Sequence, residues 1–150
     1  IDRLHRRATD RIVRTIKRII VHHTASASDW TLEDIDAAHR DRGFSGVGYH
    51  FVIESTGLVR LGRPVPTIGA HAKGANRDSI GVCLVGAFHK DGAFVPSTQW
   101  AAAVSVVRDL MRQWSLSVDD VYGHKETKAT LCPGFNPADF RAAVRGDLIG

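Results

Sequence analysis

With 150 residues and a formal charge of +4, the chain can bury one sizeable hydrophobic core but not two comfortable domains. No stretch approaches 18 consecutive apolar residues, which excludes a membrane-spanning helix. The two cysteines, Cys83 and Cys132, sit in unlike contexts, so no disulfide between them is expected.

The charge is concentrated at the start. Arg3, Arg6, Arg7, Arg11, Arg14, Lys17 and Arg18 against Asp2 and Asp10 give residues 1–18 a net +5 and leave −1 for the remainder. Leu4, Ala8, Ile12 and Ile16 recur every four positions, which would put them on one side of a helix with arginines on the other. Residues 1–18 are therefore read as a basic N-terminal segment or linker. The alternative is an arm for an anionic partner such as nucleic acid, lipopolysaccharide, a membrane surface or a wall polymer. The segment has no continuous apolar stretch followed by small residues, so it is not a secretory signal peptide as it stands. A chain that begins at Ile1 leaves a removed leader open.

Next comes the β-branched run Ile19-Ile20-Val21-His22-His23, which predicts a central strand delivering a histidine at its end. Thr31 is a candidate N-cap, followed by Glu33 and Asp34 in the first turn, for a helix running to about Arg42 and stopped by Gly43. Tyr49 to Ile53 and Leu58 to Leu61 flank Glu54-Ser55-Thr56-Gly57 and read as a hairpin. Ser79 to Val85 is a continuous apolar run suited to a sheet interior, where Cys83 behaves as a small hydrophobe.

Ser97 is expected to cap the longest helix, whose Trp100, Val104, Val107, Met111 and Trp114 form one apolar stripe that must pack on the sheet. The tryptophans are read as core rather than as a ligand platform. Val121-Tyr122 is a short strand leading to Gly123-His124, and Asn136-Pro137 starts a last helix with Asn as N-cap and Pro at the first helical position. Strands and helices intermix, but the hairpin excludes a purely parallel sheet. The expectation is an α/β single domain with a central mixed β-sheet flanked by helices. No internal repeat or heptad pattern is visible.

Two fragments carry chemistry. Val21-His22-His23-Thr24 and Gly123-His124-Lys125-Glu126-Thr127-Lys128-Ala129-Thr130-Leu131-Cys132-Pro133-Gly134 look like a metal site in two pieces, with imidazole and thiolate donors suited to zinc. Alone, the first could be a packed histidine and the second an ordinary turn. Between them lie Gly46-Val47-Gly48-Tyr49-His50-Phe51 and the stretch from Gly69-Ala70-His71-Ala72-Lys73-Gly74-Ala75-Asn76 to Gly86. With all four in order, the chain resembles the zinc-dependent N-acetylmuramoyl-L-alanine amidases (amidase type 2), the group that includes bacteriophage T7 lysozyme and the peptidoglycan recognition proteins. The resemblance runs from Val21 to Gly134.

It implies a catalytic domain over residues 19–150, with one Zn²⁺ per chain held by His22, His124 and Cys132. Adjacent strand residues face opposite ways, so His22 and His23 cannot both reach one ion from a regular strand. The family pattern selects His22 and leaves His23 a packing or supporting role, the reverse order being the alternative. Some relatives have Asp at the place of Cys132. Tyr49 and Thr130 fall where active members carry groups that hydrogen-bond around the reaction centre; T7 lysozyme has Lys at the place of Thr130. Glu126 occupies a place where relatives often carry an acid, either orienting a ligand or merely solvated. His71, Lys73 and Asn76 match the loop that lines the substrate groove, with Gly69, Gly74 and Gly81 allowing tight turns around it. His50 has no assigned role.

The function so implied is peptidoglycan hydrolysis between N-acetylmuramic acid and L-alanine. A phage or prophage endolysin fits, made in the host cytoplasm, acting at the wall after release, and monomeric. A non-catalytic peptidoglycan-binding module is the alternative, weakened by retention of Cys132. An added RNA-polymerase-inhibiting role has only the basic N-terminal segment to suggest it, and no nucleic acid partner is expected.

Overall fold

The computed structural model describes residues 14–146. In chain order its elements are β1 (Arg18–His23), α1 (Leu32–Asp41), β2 (Phe51–Ile53), β3 (Val59–Leu61), β4 (Ser79–Leu84), α2 (Ser97–Trp114), β5 (Val121–Gly123) and α3 (Pro137–Arg145). The five strands form one sheet in the order β3-β2-β4-β1-β5. All neighbours are parallel except the β2–β3 hairpin, so the sheet is mixed as the sequence predicts. Among the described residues no helix is long and apolar enough to cross a membrane.

Period-two alternation splits the sheet into two unlike faces. Ile19, Val21, Phe51, Ile53, Ile80, Val82, Leu84 and Val121 pack with residues of α2 and α3 into the main core. The intervening residues face the other way. There Val52 packs in a cluster with Ile35 of α1 and with Val47 and Val85, and Ile20 packs with Ala72 and Ala75. His22 has the parity of Ile20, so it emerges on the thinly covered side, where a cavity can form. His23 has the parity of Val21 and meets Phe88 and His89 instead.

Helix boundaries follow local chemistry. Thr31 and Asp34 form a reciprocal capping box on α1, and the chain leaves through Gly43 at φ +94°. Asn136 Oδ1 accepts from Ala138 N–H at 2.8 Å, and Pro137 occupies the first turn of α3. The expected cap of α2 differs: Ser97 is already helical, and Pro96, with φ −53° and ψ 142°, holds the cap position without a side-chain bond. A proline ring presets that geometry, and its carbonyl takes the Trp100 N–H at 2.9 Å.

The apolar stripe of α2 is also displaced. Val104 and Val107 are buried as expected, but Trp100, Met111 and Trp114 flank the seam, while Gln99, Ala103, Val106 and Leu110 occupy it. Gln99 belongs there because its Nε2 donates to the Ile53 and Val85 carbonyls at 3.0 and 2.9 Å, tying α2 to the ends of two strands. Trp100 packs edge-on against Phe135 and Phe140, half-buried at the margin of the main core.

Part of the basic segment is inside this domain. Ile16 packs in the main core, and Arg14 is only 9 % exposed. The Arg14 guanidinium donates to the carbonyls of Val65, Asn76, Arg77 and Ser79, fastening the start of the described chain to the loops around β4. The helix suggested by Leu4, Ala8 and Ile12 lies outside the described residues, and Ile16 is not helical.

Candidate metal centre

β1 and β5 are parallel neighbours with Val21 opposite Gly123. The next residues, His22 and His124, therefore leave the sheet side by side, and their rings lie 4.5 Å apart between centroids. A Cβ on Gly123 would meet Pro137 Cγ at 2.4 Å, so only glycine lets α3 pack this close beneath His124. The following loop folds back on itself. Lys125 N–H donates to the Cys132 carbonyl at 2.7 Å, and His23 N–H donates to Cys132 Sγ at 3.3 Å. One donor atom from each of His22, His124 and Cys132 then falls within 4.8 Å of the others.

The electrostatics suit a cation. Burial, reinforced by His71, His124 and His23, holds His22 well below its usual range. Burial and then Lys128 lower His124 as well, so both imidazoles are neutral lone-pair donors at pH 7. Burial pushes the Cys132 thiol up to about 12, the His23 N–H offsetting only part of this. A thiolate here needs a positive partner. His124 Nε2 is buried and has no hydrogen-bond partner among the described residues, a costly state for a polar atom unless something else engages it. The group can hold a metal ion, and its two nitrogens and one sulfur are a zinc donor set.

A cavity of about 550 Å³ opens over these residues. Tyr49 lies 5.2 Å from His22 between ring centroids. Burial, with Cys83 and Cys132 behind it, raises the phenol well above its usual range, so it stays a neutral donor. Gly48 makes its position accessible: a Cβ there would meet the Ala70 carbonyl at 2.1 Å, and Ala70 N–H donates to Gly48 O at 3.0 Å. The two middle motifs are thereby bonded to each other. Thr130 is on the cavity wall, and its Oγ1 accepts from Cys132 N–H at 3.3 Å.

His71, Lys73 and Asn76 also line the cavity, in three different states. Lys73 is exposed. Asn76 Oδ1 accepts from the N–H groups of His71 and Ala72 at 2.9 and 2.8 Å, so its carbonyl end shapes the loop. The His71 ring is packed against His22. His50 is fully buried; its Nδ1 accepts from Gly81 N–H, which leaves the proton on Nε2 for the Thr67 carbonyl. Its place is in the scaffold. His39, Arg42 and Phe44, at and beyond the end of α1, complete the wall. No motif spacing announces them; only the sheet order, which sets α1 beside β2, brings them here.

A family model described as N-acetylmuramoyl-L-alanine amidase matches residues 13–135. The chain belongs to the N-acetylmuramoyl-L-alanine amidase family. This amidase is 34% identical to the endolysin of Escherichia phage T7 over 123 residues, 79% of this chain and 80% of that protein. It is 32% identical to a peptidoglycan-recognition protein of Drosophila melanogaster over 134 residues, 84% and 72% of the two chains. Among solved structures, the N-acetylmuramoyl-L-alanine amidase LysC from Clostridium intestinale URNW superposes with a TM-score of 0.80 at 33% identity, over 89% of this chain and 87% of that one.

Glu126 of the amidase is engaged rather than merely solvated, and it acts on the backbone just before His124 rather than on that ring. Its Oε1 accepts from Gly123 N–H at 2.8 Å, and the carboxylate takes Arg141 in a two-pronged ion pair at 2.7 and 3.0 Å. It braces the turn that carries His124 against α3. Arg141 holds the carboxyl below the usual glutamate range, so its stabilising contribution is present above about pH 4.3 and lost as pH falls through the depressed folded value. The side chain is 33% exposed, and screening limits the charge contribution to about 0.5–1 kcal/mol. Glu126→Gln is expected to lower the unfolding free energy obtained from urea denaturation by that margin at pH 7, and the gap to wild type should close in acid.

Proposed function

We propose that this amidase is an endolysin-type peptidoglycan hydrolase that holds one zinc ion through His22, His124 and Cys132. It hydrolyses the amide joining N-acetylmuramic acid to L-alanine. The observation that carries the reading is the convergence of those three donors on a cavity floor, with His124 Nε2 otherwise unpartnered among the described residues. When bound, zinc supplies Lewis acidity, polarising the scissile carbonyl and making water a competent nucleophile near neutral pH.

The chain's own residues do the rest. Tyr49 donates its phenolic proton in a hydrogen bond to the carbonyl oxygen as negative charge develops, and burial keeps that proton in place. Thr130 accepts the Cys132 N–H through Oγ1 and keeps its own O–H as a second donor. Lys73 offers an exposed ammonium to a stem-peptide carboxylate, and Asn76 keeps its amide N–H₂ for a peptide carbonyl. With phage endolysins among its relatives, the enzyme is read as made in a host cytoplasm and acting on the wall after release.

Digestion of purified peptidoglycan tests this. New amino termini of L-alanine should appear with no rise in reducing sugar ends, a chelator should stop the reaction, and zinc should restore it. A rise in reducing ends alone makes the enzyme a glycosidase and overturns the reading. Activity untouched by chelation removes zinc from it.

A further inference from the structure

The His71 ring sits in a slot that only glycines leave open. A Cβ on Gly81 would meet His71 Cγ at 2.6 Å and Nδ1 at 2.8 Å, and one on Gly69 would meet Cδ2 at 2.7 Å. Neither glycine has a positive φ, so space, not turn geometry, is what they provide. Both ring nitrogens of His71 are engaged: Nδ1 lies 2.8 Å from His22 Nε2, and Nε2 lies 3.2 Å from Ser79 Oγ.

The protons along this relay can be placed by elimination. Ser79 Oγ lies 2.6 Å from the Ala75 carbonyl, which can only accept, so the Ser79 proton is spent there. Ser79 Oγ then accepts from His71, which puts the His71 proton on Nε2 and leaves a lone pair on Nδ1. His22 Nε2 must donate to that lone pair. The lone pair of His22 is thereby confined to Nδ1, the atom 3.6 Å from Cys132 Sγ. In the reverse arrangement, unprotonated His71 Nε2 and Ser79 Oγ would face each other as two acceptors inside the protein, a state worth a penalty rather than a bond.

We infer that His71 is a positioning residue: relayed through Ser79 and the Ala75 carbonyl, it fixes the His22 imidazole as the Nε2–H tautomer and aims its Nδ1 lone pair at the metal, instead of contacting substrate. Histidine ligands depend on such a partner for ring orientation and donor strength, and loss of it costs about 10–100-fold in metal affinity. The inference rests on the reading of His22 as a ligand. It gives Asn76 an indirect part too, since Asn76 holds the His71 backbone.

Zinc affinity measured by chelator competition, together with ¹⁵N NMR of zinc-loaded wild-type protein, tests it. In the wild type the His22 proton should be on Nε2, with a coupling across the hydrogen bond to His71 Nδ1. His71→Phe fills the slot without an acceptor and should bind zinc about 10–100-fold more weakly. His71→Asn, whose Oδ1 falls near the place of the lost Nδ1, should recover most of that affinity. Several results overturn the inference: a His22 proton on Nδ1, wild-type zinc affinity in His71→Phe, or an Asn variant no better than Phe. A His71→Phe enzyme with unchanged zinc affinity and a raised KM makes the residue a substrate contact. His22→Ala separates the two readings. If it keeps wild-type zinc affinity, the ligand reading itself fails; if it loses zinc while His71→Phe does not, only the relay is withdrawn. The wild-type spectrum decides even where a variant does not fold.

Discussion

Cys132→Ser and His124→Ala, purified without added metal, are expected to contain almost no zinc and to lose more than about 10³-fold in kcat/KM. Losing Lewis-acid assistance worth several kcal/mol corresponds to three or more decades of rate. The paired comparison at the end of β1 is the sharper test. His22→Ala removes a buried imidazole facing the Cys132 sulfur and should abolish zinc binding along with activity. His23→Ala removes a ring on the other side of the strand, whose Nδ1 accepts from Phe88 N–H at 3.1 Å. Burial holds that ring down to about 4, so it is a neutral scaffold group. Its loss should cost about 1–3 kcal/mol for the orphaned donor and leave close to one zinc per chain, because the contact His23 makes to Cys132 comes from the backbone N–H, which alanine retains. Elemental analysis and urea denaturation of both variants give the answer. Full zinc in Cys132→Ser or His124→Ala, or equal zinc loss in the two neighbouring histidine variants, defeats the ligand assignment.

The features visible in the sequence are those written in local chemistry. Strand alternation separated His22 from His23, and in the structure they do face opposite sides, one toward His124 and the other toward Phe88. The capping box at Thr31 and the Asn136-Pro137 start are likewise local, and both form. What escaped depends on neighbours distant in sequence. Ser97 looked like a cap until Pro96 took the position, and the core seam of α2 was misplaced because Gln99 and Ala103 carry little hydrophobic signal. Arg14 looked like one more charge in a basic run; its burial requires four carbonyls from residues 65 to 79. Glu126 was legible as an acid near the site but not as the partner of Arg141, fifteen positions on.

The same distinction governs the candidate site. His22, His124 and Cys132 stand out as residue types, yet their meeting depends on β1 and β5 being parallel neighbours with Val21 opposite Gly123. His71 stood out as a residue of the loop matched to the substrate groove. The signal for its different environment was Gly69 and Gly81, which read as turn formers and instead vacate space for the ring.

Tyr49→Phe and Thr130→Val should each lose on the order of 10²-fold in kcat while keeping zinc, the usual cost of removing one donor to a developing oxyanion. For Tyr49 the case is direct, because the phenol is buried and neutral beside His22 and phenylalanine keeps the ring contact. Thr130 needs a control. Its Oγ1 accepts from Cys132 N–H, so valine removes both an acceptor that steadies the Cys132 loop and the O–H proposed to face substrate. Thr130→Ser keeps both functions and is expected to remain near wild-type activity. Thr130→Lys gives up the acceptor but places an ammonium where T7 lysozyme carries one, so it should exceed Thr130→Val in kcat if the group serves the oxyanion. Zinc affinity measured on the same preparations separates the two jobs of the hydroxyl: a Val variant that loses metal in proportion to activity reveals a loop brace, whereas full zinc with depressed kcat and little change in KM reveals a donor used in the transition state. Wild-type turnover by Thr130→Val with zinc intact would withdraw Thr130 from catalysis and leave Tyr49 as the sole neutral donor assigned there.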